Sequence, residues 1–148
     1  MKPYHYTESG LSNIYLLNGY KFIETPRGKS VSIKDIDGLH KAIGLFLVTY
    51  KKDLSGEEIR FLRDELLMSQ YTLAKLLDVS EQTVRRWELD KINMPKSSEF
   101  VLRLLYREHI HNKDGKISTM LKEIANLEEY NNHELLFKDT SKGWKSAA

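Results

Sequence analysis

Residues Ser69–Glu88, SQYTLAKLLDVSEQTVRRWE, decide the reading of this chain. Ser69 suits a helix N-cap, where its side chain accepts from an unpaired first-turn amide. Leu73, Ala74, Leu76 and Leu77 follow at helical spacing and make an apolar face. Ala74 is small, as two closely crossing helices require. Asp78 and Val79 make the turn: Asp tolerates positive φ better than most residues, and Val79 is placed to plug the gap between helices. Ser80 caps a second helix, Glu81–Leu89, in which Val84 and Trp87 point inward. Gln82, Thr83, Arg85 and Arg86 are left facing out.

That outward set suits DNA. Arg donates two hydrogen bonds to guanine O6 and N7, Gln pairs with adenine in the same way, and Thr touches a thymine methyl. Ser69 and Gln70 open the preceding helix, whose first amides suit a phosphate. Two adjacent arginines alone more often only solvate a surface helix; it is the frame around them that favours nucleic acid. On Ser69-Gln70, Leu73-Ala74, Val79-Ser80, Thr83-Val84 and Arg86-Trp87-Glu88 the chain resembles the phage-repressor-like (Xre-type) helix-turn-helix family. The resemblance implies a compact bundle of about five helices over Ser55–Ile110. It puts Gln70 on the DNA backbone or first base pair and makes Glu81, Gln82, Arg85 and Arg86 base-facing. The expected DNA-binding set is therefore Ser69, Gln70, Ser80, Glu81, Gln82, Thr83, Arg85 and Arg86. Asp78 departs from the family's usual glycine. Arg63, in a helical run with Ile59, Leu62 and Leu66 inward, could be read as a phosphate contact. The family frame favours an internal salt bridge with Glu88.

Composition sets limits on the rest. The 148 residues are enough for one domain or two small ones, and 41% hydrophobic content can build a core. There are no cysteines, so disulfides and Cys-ligated metal sites are excluded. The longest apolar run, Ile43–Val48, is too short to span a bilayer, and no secretory signal is evident. A cytoplasmic protein is expected. Net charge is only +2. Ser55–Ile110 holds nine basic and ten acidic residues, whereas Met1–Leu54 holds eight and five. Bulk charge does not announce a nucleic-acid binder, so the case rests on local placement.

The fold class expected is α+β and mainly α, with three parts. Residues 1–54 form a small antiparallel β-sheet module and a helix, 55–110 the helix-turn-helix domain, and 111–148 a C-terminal helix and tail. Asn13–Leu17 and Tyr20–Thr25 read as strands joined by Asn18-Gly19, a strong hairpin signal. Pro26–Lys29 is a second turn and Ser30–Lys34 a third strand. Asp35–Tyr50 is helical, with Leu39, Ile43, Phe46, Leu47 and Tyr50 on one stripe. Ser55 and Glu58 make a capping box. After Pro95 a helix starts at Ser97 or Ser98, with Phe100, Val101, Leu104 and Leu105 inward. His111–Lys116 is a polar loop and Ile117–Tyr130 a further amphipathic helix. Two strand-like pieces around Thr140–Gly143 are expected to fold back, with Trp144, onto the N-terminal sheet.

The stretches Tyr4–Leu11 (YHYTESGL) and Leu54–Arg63 (LSGEEIRFLR) carry a second resemblance, to the MqsA-type antitoxin and YgiT-like regulator group. In that group a small zinc-binding N-terminal module holds a ribonuclease toxin, and a helix-turn-helix dimer represses its own operon. This chain lacks the zinc cysteines, and Ser9 stands where one would fall. The resemblance implies operator DNA, a second copy of the chain and a ribonuclease-like toxin as partners. The exposed edges of Ser98–Ile110 or Ile117–Tyr130 are the candidate dimer interfaces.

Other constellations are weaker. His5, His109, His111 and His133 do not form a recognisable zinc set. Glu57-Glu58 and Glu128-Glu129 are sequence neighbours, which do not converge on a helix. No nucleophile elbow, Walker loop or dinucleotide fingerprint occurs. Neither enzyme activity nor a cofactor is expected. Tyr4, Tyr6, Tyr15, Tyr20 and Phe22 either stack single-stranded RNA or pack a small sheet, packing being the commoner outcome.

Overall fold

A computed structural model describes residues 2–111, 115–127 and 134–147. Lys113 and Asp114 of the polar loop, Glu128-Glu129, the expected helix end at Tyr130, and His133 lie outside the described residues. The elements run β1 (Tyr4–His5), β2 (Tyr15–Leu16), β3 (Tyr20–Thr25), β4 (Gly28–Ile33), α1 (Ile36–Tyr50), α2 (Gly56–Glu65), α3 (Gln70–Leu76), α4 (Glu81–Glu88), α5 (Lys96–His111), α6 (Lys116–Ala125), β5 (Phe137–Thr140) and β6 (Gly143–Ser146). Six helices and small antiparallel sheets make the described chain α+β and mainly helical. The segment 55–110 holds four helices rather than five. Nothing between Lys96 and His111 breaks a helix, so α5 runs through in one piece.

One apolar cluster joins the parts. Leu11 from the N-terminal loop and Ile43, Leu47 and Val48 from α1 pack with Ile59, Leu62, Leu73, Val84, Trp87, Leu102 and Tyr106. Gly44 lets α1 approach α5, because a Cβ there would fall within the Tyr106 ring. Arg103 of α5 reinforces the crossing by donating to the carbonyls of Leu47 and Val48 at 3.0 Å each. Both lie in the last turn of α1, where the Leu47 carbonyl also accepts from the Lys51 amide at 3.3 Å. Buried Glu99 holds the Arg103 guanidinium from the other side. Buried Glu108 accepts from the first-turn amides of Ile117 and Ser118, so α5 caps α6 across the interface.

The N-terminal strands pair differently from the sequence expectation. Asn18-Gly19 does not turn a hairpin. β2 pairs with β1, β3 pairs with β4, and the two-residue loop is Pro26-Arg27, between paired Thr25 and Gly28. Leu16 of β2 is buried, so its strand lies against the body of the protein. Gly19 instead closes the base of the β3–β4 hairpin by accepting from the Lys34 amide at 2.8 Å.

Two helical stripes are rotated from expectation. On α1, Phe46 and Tyr50 are exposed and lean on each other at 5.3 Å, while Gly44 and Val48 are buried beside Ile43 and Leu47. On α5, Phe100 and Leu104 are exposed, and Leu102 and Tyr106 join Leu105 inside. Each of these helices is covered from more than one direction, so hydrophobicity alone does not mark the buried side. The tail also differs. β5 and β6 pair only with each other, and Trp144 is 74% exposed rather than packed on the N-terminal sheet.

Candidate nucleic-acid interface

The helix-turn-helix frame is built from local caps. The Ser55 hydroxyl accepts from the Glu58 amide, and the Glu58 carboxylate accepts from the Ser55 amide, starting α2. Ser69 and Ser80 accept from Thr72 and Thr83 at 3.0 and 3.1 Å, starting α3 and α4. α3 ends with Asp78 at φ 55, the left-handed conformation, and its amide and that of Val79 bond back to Lys75 and Ala74. This is a Schellman closure, which normally takes glycine. α2 and α4 close the same way on Leu67 and Asp90, both also at positive φ. Ala74 is buried at the α3–α4 crossing, and Val79 packs half-buried against the core.

α4 has two unlike sides. Val84 and Trp87 are buried at 0% and 2% exposure, whereas Glu81, Gln82, Arg85 and Arg86 are open to solvent. Among the described residues neither the Arg85 nor the Arg86 side chain has a hydrogen-bond or ion-pair partner. Two solvated guanidiniums one residue apart, with Gln82 a turn before them, form a donor-rich surface able to fork onto base edges. Thr83 is half-buried, its hydroxyl bonded to that of Ser80 at 2.8 Å.

Behind this face lies a polar knot. Arg63 donates through Nε to Glu88 Oε2 at 2.6 Å and through Nη2 to Oε1 at 3.0 Å, and its Nη1 reaches the Met68 carbonyl at 2.8 Å. Gln70 donates to Glu88 Oε1 at 2.9 Å. The hydrogen bond to Glu88 raises the Arg63 pKa, against the opposing effect of burial. One carboxylate near the end of α4 thus ties α2 and α3 to it, and Arg63 holds the α2–α3 loop. Gln70 is held from within by its amide nitrogen, a constraint the sequence does not reveal. Gly56 allows the start of α2 to meet the end of α4: a Cβ there would collide with the Glu88 carbonyl, and the Gly56 amide donates to Asp90 at 2.9 Å.

Tyr71 and Lys75, not singled out from the sequence, lie beside this surface. They are exposed on α3 and line a groove with Ser80, Glu81 and Ala125 of α6. Their four-residue spacing on one helix face was the available signal. The aromatic residues named earlier separate. Tyr6 is buried, its hydroxyl 2.8 Å from His40 Nε2. Tyr4, Tyr20 and Phe22 cluster at 5.1–6.0 Å, and Tyr15 stacks on His5 at 4.5 Å.

The residues do not fit the zinc of the antitoxin group. Ser9 accepts from the Leu11 amide at 3.3 Å, and among the described residues no group of three His, Asp or Glu is placed to hold a metal. Among the described residues no helix is long and apolar enough to cross a membrane. No curated protein and no solved structure matches the chain. Residues 59–101, from the first turn of α2 into α5, match a family model described as helix-turn-helix. Over those residues the chain is therefore similar to the helix-turn-helix family, in agreement with the geometry of α2 to α5.

Proposed function

We propose that this protein is a sequence-specific, double-stranded-DNA-binding transcription regulator that reads bases with α4, and that it acts as an antitoxin-like autorepressor without enzymatic activity. The observation that carries the reading is the pair of unpartnered guanidiniums, Arg85 and Arg86, on the open side of a helix whose other side is buried. Gln82, Arg85 and Arg86 contact bases. Glu81 and Thr83 border them, and Ser69, Gln70 and Ser80 sit at the two helix starts nearest the phosphates. A homodimer places two copies of α4 in successive major grooves about one helical turn apart. A DNA-bound regulator of this kind works in the cytoplasm.

The test is fluorescence anisotropy on duplex DNA from immediately upstream of the gene, against a scrambled duplex. Arg86→Ala should weaken specific binding by about 1–3 kcal/mol and relax preference at one base position. Equal binding of every sequence by both proteins would defeat the reading.

The antitoxin part rests on the resemblance of Tyr4–Leu11 and Leu54–Arg63. A second reading makes Met1–Lys34 a module that neutralises a ribonuclease-like toxin, with DNA binding as feedback. It is favoured by the exposure there of Tyr15, Leu17, Phe22 and Ile23. An adjoining small ribonuclease-like gene supports it. A truncation lacking Met1–Lys34 that still protects cells from the neighbour would sink it, leaving a stand-alone regulator.

A further inference from the structure

The surplus positive charge of the first 54 residues sits in one hairpin. Tyr20–Lys34 holds Lys21, Arg27, Lys29 and Lys34 against the single acid Glu24; outside it, Met1–Leu54 is balanced. All four basic residues are exposed, and among the described residues none has an ion-pair partner. The register sorts the two faces. Tyr20, Phe22, Glu24, Lys29, Val31 and Ile33 share one, with Lys29 directly across from Glu24, and Tyr4 packs there at 5.1 Å from Tyr20 and 6.0 Å from Phe22. The other face carries Lys21, Ile23, Thr25, Ser30 and Ser32, with no acidic residue.

The hairpin's base is fixed close to the helix-turn-helix. Lys34 bonds Gly19 across the base, and α1 starts two residues later. His40, in the second turn of α1, lies between the buried Tyr6 hydroxyl at 2.8 Å and Glu65 Oε2 at 3.5 Å. Glu65 ends α2, and four residues on Ser69 caps α3, whose partner helix is α4. The hairpin therefore springs from the end of the domain where α3 begins.

We propose that the β3–β4 hairpin is a second DNA contact, a wing that meets the phosphate backbone tip first beside the half-site read by α4, with Arg27 at the tip, Lys21 and the Ser30 and Ser32 hydroxyls on one face and Lys29 on the other. Lysine, arginine and serine donors are the groups that bind phosphate, and such contacts position a protein without reading sequence. The wing supplies the backbone charge that residues 55–110, with nine basic and ten acidic groups, do not. The inference rests on the DNA-reading role of α4, and the variants below separate the two.

The experiment measures affinity of the full chain for the upstream and scrambled duplexes across a salt series. The proteins are wild type, Lys21→Gln/Arg27→Gln/Lys29→Gln, Arg27→Gln alone, and Arg85→Ala/Arg86→Ala. Losing three phosphate contacts should lower the slope of log affinity against log salt by about 2–3, and losing Arg27 by about one. At physiological salt the triple variant should bind both duplexes at least tenfold more weakly, with the ratio between them kept. The α4 variant should lose the ratio instead. A triple variant with wild-type slope and affinity, beside an α4 variant that no longer discriminates, would overturn the wing and leave the hairpin to a protein partner. A wing variant that weakens binding, beside an α4 variant that still discriminates, would uphold the wing and refute the role of α4.

Discussion

Removing Arg63 tests how the DNA-reading helix is held. Arg63→Ala deletes two hydrogen bonds to Glu88 and one to the Met68 carbonyl. The two side chains are 11% and 4% exposed, so solvent screens the pair little. Glu88 is left buried with Gln70 as its remaining donor. Breaking a buried pair by removing one partner costs about 3–5 kcal/mol, mostly the penalty of the orphaned charge. A chain of this length shifts its melting temperature by about 3 °C per kcal/mol, so the expected drop is roughly 10–15 °C. The Arg63 pKa is raised, so its share of the stability is fully present below the unfolded value and lost only as pH rises through the folded one. That window lies far into alkali, and the drop should be constant through neutral pH. Circular dichroism melts of Arg63→Ala and of Arg63→Met/Glu88→Leu make the assay. The double variant should recover much of the loss, because it leaves no buried charge unpaired. A drop below about 3 °C would refute the argument by putting the pair in the range of a surface bridge. So would loss of DNA binding at an unchanged melting temperature, which would make Arg63 a DNA contact.

Leu67→Gly should stabilise the protein by about 1 kcal/mol, since Leu67 is 90% exposed at φ 57 and glycine relieves the left-handed strain without losing packing; denaturant midpoints test this. Asp78→Gly should act in the same direction for the same reason, and a loss of stability would show that the aspartate side chain is needed in the turn. Gly44→Ala should cost about 1–3 kcal/mol by forcing α1 off the Tyr106 ring, as read in the same denaturant curves. Burial pushes the Tyr106 phenol up to about 12 from an ordinary value of 10.0, helped by the charge of Glu65. The folded pKa is the higher one, so this stabilisation is complete below pH 10 and is lost as pH rises toward 12, roughly 2–3 kcal/mol in all. Tyr106→Phe should flatten that alkaline fall.

Features that depend on neighbours along the chain can be read from the letters alone. Ser55 with Glu58, Ser69 with Thr72, and Ser80 with Thr83 are separated by three residues, so their hydrogen bonds follow from helix geometry. Val84 and Trp87 point inward for the same reason, and with Ala74 they made the helix–turn–helix legible as letters. Other features depend on partners far apart in the chain and arise only on folding. Asn18-Gly19 has hairpin chemistry, but β2 pairs with β1, so the turn passes to Pro26-Arg27. Phe46, Tyr50, Phe100 and Leu104 are as apolar as the residues that bury, yet they stay outside. Gly44 against Tyr106 and Arg103 on the last carbonyls of α1 set the contact line between α1 and α5. Gln70 tied to Glu88, and the basic hairpin closed at its base by Gly19 and Lys34, are likewise products of packing. No local spacing encodes them, because the energy that selects them is shared between segments that meet only once the chain has folded.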